Sequence, residues 1–219
     1  MDAKICGIKN LKTLKHLIKH KHPPKFIGFI CNYPKSKRHL NLKNLKKLVS
    51  VKKKKNINFV SVLVNPKKNI LDKIAKLNFD YLQLYDVNPK KTLKIKKEFK
   101  IKIISALTVK NVEDVMSYKK YKDFSEIILF DGKGYENSVK FNHKFLNNIS
   151  DNLTIMLAGD IKYNEKLNKY NKIADIIDIS GSLETNGEKD ISKIDIFLKN
   201  LNKLKNETKK KNSAYRSTR

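Results

Sequence analysis

Apolar residues along this chain gather into short runs separated by stretches dense in lysine and asparagine. The runs are "AKICG" at 3–7, "FIGFIC" at 26–31, "FVSVLV" at 59–64, "YLQLY" at 81–85, "KIISALT" at 102–108, "EIILFD" at 126–131, "TIMLAG" at 154–159 and "IIDISG" at 176–181. Each is short, nearly continuous in its apolar character and rich in Ile, Val, Phe or Tyr, which predicts buried strands. Between the runs the apolar positions take helical spacing. Leu11, Leu14, Leu17 and Ile18 mark the first such stretch, and Ile191, Ile194, Ile196, Phe197 and Leu201 the last.

Strands that alternate with amphipathic helices imply a parallel sheet covered by helices. Eight units, each about 25 residues long, are short but adequate for a strand, a helix and two loops. They predict a closed (β/α)₈ TIM barrel of the α/β class, near the lower size limit for that fold. An open doubly wound sheet is the alternative. Against it, the first strand-to-helix turn, "CGIKNLK", lacks the G-x-G-x-x-G pattern of dinucleotide binders. We read one barrel domain over residues 1–205. Residues 206–219 lack an apolar face and read as a basic, flexible tail.

Composition adds the setting. Of 219 residues 40% are hydrophobic, enough for a packed core. Two cysteines, Cys6 and Cys31, are too few for a disulfide scaffold and fit a reducing compartment. There is no signal-peptide pattern and no long apolar run, so the reading is a cytoplasmic chain that does not cross a membrane. The formal net charge of +28 invites a polyanion partner. Yet among 49 Lys and Arg only Arg38, Arg216 and Arg219 are arginine. Nucleic-acid readers lean on arginine for bidentate contacts. Lys, Ile and Asn share A/T-rich codons, so a biased genome accounts for the charge as a solvated surface with no specific nucleic-acid partner. Against that lysine background, Arg38 stands out as a planar fork suited to a carboxylate or phosphate.

In a barrel, alternate strand residues face the interior, and the working face lies at the strands' C-terminal ends. Polar residues interrupt the strands at such places. Lys4 and Cys6 share a side of the first strand. Gln83 shares a side with Tyr81 and Tyr85, Asp131 closes the sixth strand, and Asp178 interrupts the eighth. Gly159 and Gly181 end the seventh and eighth. Carboxylates, a thiol, an amide and a guanidinium converging on one mouth make an acid–base constellation. An interior Lys4 needs an acidic partner, and Asp178 is the one that barrel closure would supply. The Lys4 ammonium is expected to lower the Cys6 pKa, giving a thiolate base near neutral pH. The bland alternatives are a strand cysteine as a small core hydrophobe and Asp131 as the start of a turn. Cys31 reads as core. The five histidines show no metal-ligand spacing to this reading, and "HLIKHKH" (16–22) looks like a helix end carrying cationic side chains.

Taken in order, these stretches resemble the phosphoribosylanthranilate isomerases of tryptophan biosynthesis. Lys4-Ile5-Cys6-Gly7 is similar to the family's opening, and "GFICNYPKSKRHL" to its second strand and loop, ending at Arg38. "VSVLVNP" at 60–66, "YLQL" at 81–84, "LFD" at 129–131, "LAG" at 157–159, "DISGSLE" at 178–184 and "KD" at 189–190 follow in the family's order. The resemblance implies an Amadori rearrangement without metal or cofactor, on a small phosphorylated substrate, by a monomer or homodimer. It implies Cys6 as general base and Asp131 as general acid. Arg38 would hold the anthranilate carboxylate, and Gln83 and Asp178 would line the substrate. Backbone around Gly159, Ser180, Gly181 and Ser182 would take the phosphate. The chain departs from the family's usual pattern where Tyr85-Asp86 replaces His-Gly, where "GKGYENS" (132–138) replaces a glycine-rich stretch, and where Asp160 follows Gly159. Near a phosphate, Asp160 would repel unless turned away. Two other readings use the same features: a different sugar-phosphate barrel isomerase or epimerase, and a non-enzymatic polyanion-binding protein.

Overall fold

A computed structural model describes residues 1–132, 140–150 and 152–217. Its eight parallel strands close into a barrel in chain order: β1 (Asp2–Cys6), β2 (Phe26–Ile30), β3 (Asn58–Val64), β4 (Tyr81–Tyr85), β5 (Lys102–Val109), β6 (Ile127–Gly132), β7 (Ile155–Leu157) and β8 (Ile176–Ile179). The seam between β8 and β1 sets Lys4 opposite Asp178 and Ile5 opposite Ile179. The strands lie within a residue or two of the stretches read from the apolar runs.

Five helices cover the first part of the barrel: α1 (Leu11–Lys19), α2 (Leu42–Val49), α3 (Lys68–Ala75), α4 (Pro89–Phe99) and α5 (Val112–Met116). Four of them start at asparagine. The side chains of Asn10, Asn41, Asn88 and Asn111 each accept a hydrogen bond from a backbone N–H in the first turn. Each such cap contributes about 1 kcal/mol. An asparagine-rich composition thus supplies the helix starts as well as the polar surface.

The later connections are leaner than eight full helices. Single 3₁₀ segments, His143–Asn148 and Leu167–Tyr170, bridge β6 to β7 and β7 to β8 among the described residues.

After β8 a 3₁₀ turn (Gly181–Leu183) leads into a small hairpin, β9 (Glu184–Thr185) and β10 (Glu188–Lys189). Asn186 and Gly187, both at positive φ, form its two-residue loop, the residue pair this tight turn requires. The last helix, α6 (Ile191–Ser217), follows. Its first turn is capped by Asp190, whose Oδ1 accepts from Ser192 N–H at 2.9 Å.

Two expectations change in α6. Ile194, Phe197, Leu198, Leu201 and Leu204 are buried, whereas Ile196 is 42% exposed. The buried set follows i, i+3, i+4, i+7, which leaves Ile196 on the opposite side. The helix also continues to Ser217 through the stretch read as a flexible tail, because extending a nucleated helix costs little.

The apolar interior has two layers. One cluster packs the helices against the outer face of the sheet, with Ile5, Phe29, Phe59, Leu82, Phe130 and Phe197 among its members. A second fills the barrel, from Phe26, Val60, Ile104, Leu129, Met156 and Ile176 up to Cys6 and Tyr85. Along every strand the two sets alternate, as the pleat requires. A filled lower barrel leaves only the C-terminal mouth open to carry polar groups. Among the described residues, no helix is long and apolar enough to cross a membrane.

Candidate active site

The mouth holds a cavity of about 420 Å³, a size suited to a small ligand. It is lined by Cys6, Arg38, Gln83, Asp131, Asp178, Gly159, Ser180, Gly181 and Ser182. All nine proposed site residues therefore meet in one place. Tyr85, Ser36, Asp160 and Lys162 also line it. Of "GKGYENS", residues 133–138 lie outside the described residues.

Lys4 and Cys6 point inward from β1, two residues apart on one side. Lys4 is fully buried and donates to Asp178 Oδ2 at 2.7 Å across the closing seam. Burial disfavours its charge, but Asp178 and Cys6 outweigh it and raise its pKa, so the ammonium persists. Lys4 also lies close enough to Cys6 to favour its thiolate. The expected thiolate does not follow: burial pushes the Cys6 thiol above its ordinary value, and Lys4 only partly offsets this. A desolvated sulfur loses more from leaving water than one shared ammonium returns, because that ammonium is already committed to Asp178. Space for the thiol comes from Gly28 on β2, where a Cβ would lie 2.9 Å from Cys6 Sγ and 3.1 Å from Lys4 Nζ.

Asp131, one residue before the end of β6, is shifted in the same direction as Cys6, which suits the opposite role. Burial raises its pKa to about 7, against the lowering effect of a hydrogen bond from Tyr85 Oη at 2.8 Å. A carboxyl with that pKa is protonated for part of the time near neutral pH, as a general acid must be. Tyr85 stands where the resemblance expects histidine, and its contact with Asp131 escaped the sequence reading because the two lie on different strands.

Arg38 does grip a carboxylate through two parallel bonds, but that carboxylate belongs to the chain itself. Nε donates to Glu184 Oε1 at 2.6 Å and Nη2 to Glu184 Oε2 at 2.8 Å. Lys189, carried back by the β9–β10 hairpin, donates to Glu184 Oε1 at 2.6 Å and to the Ser180 carbonyl at 2.9 Å. Arg38 and Lys189 together hold the Glu184 carboxyl below its ordinary pKa despite partial burial, which of itself raises it. The pair with Glu184 uses one edge of the guanidinium and leaves N–H groups over on a side chain that lines the cavity. Glu184 and Lys189 appeared in the sequence only as family-like letters; their role as braces needed the hairpin.

On the rim beside Arg38, Gly181 and Ser182 open the turn after β8, where a Cβ on Gly181 would lie 3.2 Å from Arg38 Nη2, and Gly159 and Asp160, both at positive φ, follow β7. Ser180 Oγ donates to the Cys6 carbonyl at 3.0 Å, tying this rim to β1. Asp160 forms an ion pair with Lys162, so its carboxylate does not face the rim uncompensated. Three buried polar atoms have no hydrogen-bond partner among the described residues and belong to cavity-lining side chains: Gln83 Oε1, Asp178 Oδ1 and Ser182 Oγ. Buried polar groups are nearly always paired, so these three atoms leave hydrogen-bonding capacity directed at one cavity.

A closed (β/α)₈ barrel whose C-terminal mouth pairs a shielded thiol with a carboxyl titrating near neutrality defines an acid–base barrel enzyme. The comparisons with known proteins make that class specific. The family model described as N-(5'phosphoribosyl)anthranilate (PRA) isomerase matches residues 3–200, and the chain belongs to this family. An N-(5'-phosphoribosyl)anthranilate isomerase of Clostridium kluyveri is 29% identical over 207 residues, covering 94% of this chain and all of its own. That of Thermoanaerobacter pseudethanolicus is 31% identical, covering 90% and 96%. Among solved structures, the Thermotoga maritima phosphoribosyl anthranilate isomerase superposes with a TM-score of 0.79 at 26% identity, covering 91% of this chain and 98% of that one. A further phosphoribosyl anthranilate isomerase structure, with reduced 1-(o-carboxyphenylamino)-1-deoxyribulose 5-phosphate bound, gives a TM-score of 0.77 at 25% identity, covering 91% and 97%.

Proposed function

We propose that this protein is a phosphoribosylanthranilate isomerase, converting N-(5-phosphoribosyl)anthranilate to 1-(2-carboxyphenylamino)-1-deoxyribulose 5-phosphate in tryptophan biosynthesis. The observation that carries the reading is the joint presence of Cys6 and an Asp131 with a pKa of about 7 in one cavity, in a chain of that family.

In this reading Asp131 gives its proton to the ribose ring oxygen. The C1–O bond breaks, and the anthranilate nitrogen's lone pair forms the C1=N iminium. Cys6, as thiolate, removes the proton from C2, and that electron pair becomes the C1=C2 bond of an enolamine while the iminium is neutralised. The C2 hydroxyl proton is then lost and C1 gains one, leaving the ketone. Lys4 stabilises the negative sulfur as it forms. Arg38, braced by Glu184, holds the anthranilate carboxylate. Gly159, Ser180, Gly181 and Ser182 take the phosphate, and Gln83 and Asp178 bind between them.

The test is turnover, followed as loss of the fluorescence of the anthranilate adduct. Wild-type protein is expected to consume the substrate, and Cys6→Ala and Asp131→Ala each to lower kcat roughly 10²–10⁴-fold. Pure, folded wild type without turnover, or either variant with turnover intact, overturns the reading.

A further inference from the structure

Outside the barrel mouth, α1 and α6 bring two histidines and a carboxylate together. His16 lies on α1 and His20 caps the C-terminal end of that helix four residues on, and Asp195 stands on the second turn of α6. His16 Nε2 is 2.5 Å from Asp195 Oδ1, and His20 Nε2 is 3.5 Å from the same oxygen. One atom from each residue lies within 4.8 Å of the others. We propose that these three side chains form a binding site for one divalent transition-metal ion of the zinc type, clamping the first helix to the last.

The spacing is the first argument. A zinc ion held at about 2.0–2.2 Å by each donor separates tetrahedral donors by roughly 3.3–3.5 Å. The His20–Asp195 pair already has that separation. The His16–Asp195 pair is drawn closer by a hydrogen bond, and must open by about 1 Å as the proton between the two atoms gives way to the ion.

The second argument is orientation. His20 Nδ1 lies 2.9 Å from the carbonyl oxygen of His22. The same nitrogen lies 3.0 Å from the His22 backbone nitrogen, whose N–H it accepts in the other tautomer; with hydrogen on Nδ1, as a metal at Nε2 requires, the ring donates to the carbonyl instead and turns the Nε2 lone pair toward Asp195. A backbone carbonyl on the far nitrogen is the usual device that orients a metal-binding imidazole. The His20 side chain is only 14% exposed, so the ring is held in place, whereas His16 and Asp195 are open enough for an ion to enter and keep its waters.

The third is selectivity. Lys12, Lys15, Lys19 and Lys199 share these two helices, and their charge opposes any ion held by long-range attraction alone. Direct imidazole ligation must supply the affinity, which favours Zn²⁺, Co²⁺, Ni²⁺ or Cu²⁺ over Mg²⁺ or Ca²⁺. In the sequence alone the histidines read as helix-end cations without ligand spacing. The i, i+4 pair becomes a site only because α6 supplies the third donor after β8 closes on β1.

The site's role is structural, because α1 and α6 flank the β1–β8 seam and none of its residues lines the cavity. The test uses the full chain without an affinity tag, stripped with a chelator. Calorimetric titration with Zn²⁺ is expected to saturate at one ion per chain, and Co²⁺ to develop the visible absorption of a tetrahedral site. The thermal midpoint should rise with Zn²⁺ and fall back with chelator, while catalytic turnover, if present, stays unchanged. Asp195→Asn should weaken binding by about tenfold or more, and His20→Gln should abolish the cobalt spectrum. Both replaced side chains are at least partly solvent-facing, and circular dichroism establishes that each variant folds. Absence of saturable binding by wild type, or equal binding by folded His20→Gln and Asp195→Asn, overturns the proposal. These readouts do not depend on which reaction the mouth catalyses.

Discussion

The Tyr85 hydroxyl donates to Asp131 Oδ2 at 2.8 Å, from the end of β4 to the end of β6. Burial sets the carboxyl's upward shift, and this hydrogen bond restrains it at about 7. Tyr85→Phe removes the restraint, so the Asp131 pKa should rise further. The effect on rate has a particular sign. The active form needs Asp131 protonated and Cys6 ionised, yet the thiol titrates above its ordinary range. With the acid's pKa below the base's, kcat/KM should climb with pH up to about 7, hold level, and fall only beyond the thiol pKa. Tyr85→Phe should move the lower limb upward in pH. A pH–rate profile of both proteins decides this; an unmoved lower limb would remove Asp131 from the role of acid.

Lys4 and Asp178 form a buried pair whose loss should be felt in stability first. Asp178→Ala leaves an uncompensated interior ammonium, with an expected cost of about 3–5 kcal/mol. The double variant Lys4→Met/Asp178→Leu should recover much of that stability without recovering activity, because apolar groups can replace the pair's packing but not its charge. Chemical denaturation of the three variants beside wild type measures this.

Arg38 should be sensitive to the shape of its charge as well as its sign. Arg38→Lys keeps a cation but loses the fork shared between Glu184 and the ligand. Charge-assisted hydrogen bonds of this kind contribute about 1.5–3 kcal/mol, so KM should rise roughly 10–100-fold. Glu184→Gln should produce a smaller rise, with the guanidinium present but less firmly held. Steady-state kinetics on each variant, with kcat read separately, distinguishes loss of binding from loss of chemistry.

At the phosphate rim, Lys162 offsets Asp160. Lys162→Ala uncovers a carboxylate beside the proposed phosphate position. The pair is solvent-facing, so the effect is modest: about 1 kcal/mol, or roughly a fivefold rise in KM. Asp160→Gly in the same chain should restore KM. If Lys162→Ala leaves KM unchanged at low salt, the phosphate does not sit at this rim.

The strands were legible because buried parallel strands are written as continuous apolar runs, and a charged or amide side chain within one is conspicuous. Lys4, Gln83, Asp131 and Asp178 announced themselves in that way. Ile196 was misplaced because sequence spacing alone admits neighbouring apolar faces, and packing against the barrel selects one. The pairing of Arg38 with Glu184 was hidden because the two are far apart in the chain and meet through a hairpin of four paired residues. The direction of the Cys6 shift was also beyond sequence. A neighbouring lysine argues for a lowered pKa, and only the burial of the sulfur and the prior claim of Asp178 on that lysine reverse the outcome.

By itself the sequence determined the barrel, its eight strands and which polar side chains face inward, because strand alternation and hydrophobic runs are local properties of the chain. The tertiary structure alone decided which of those groups are charged, which are braced, and where two histidines find a carboxylate. Those outcomes depend on distance and on exclusion of water, and both arise only when residues far apart in the chain are packed side by side.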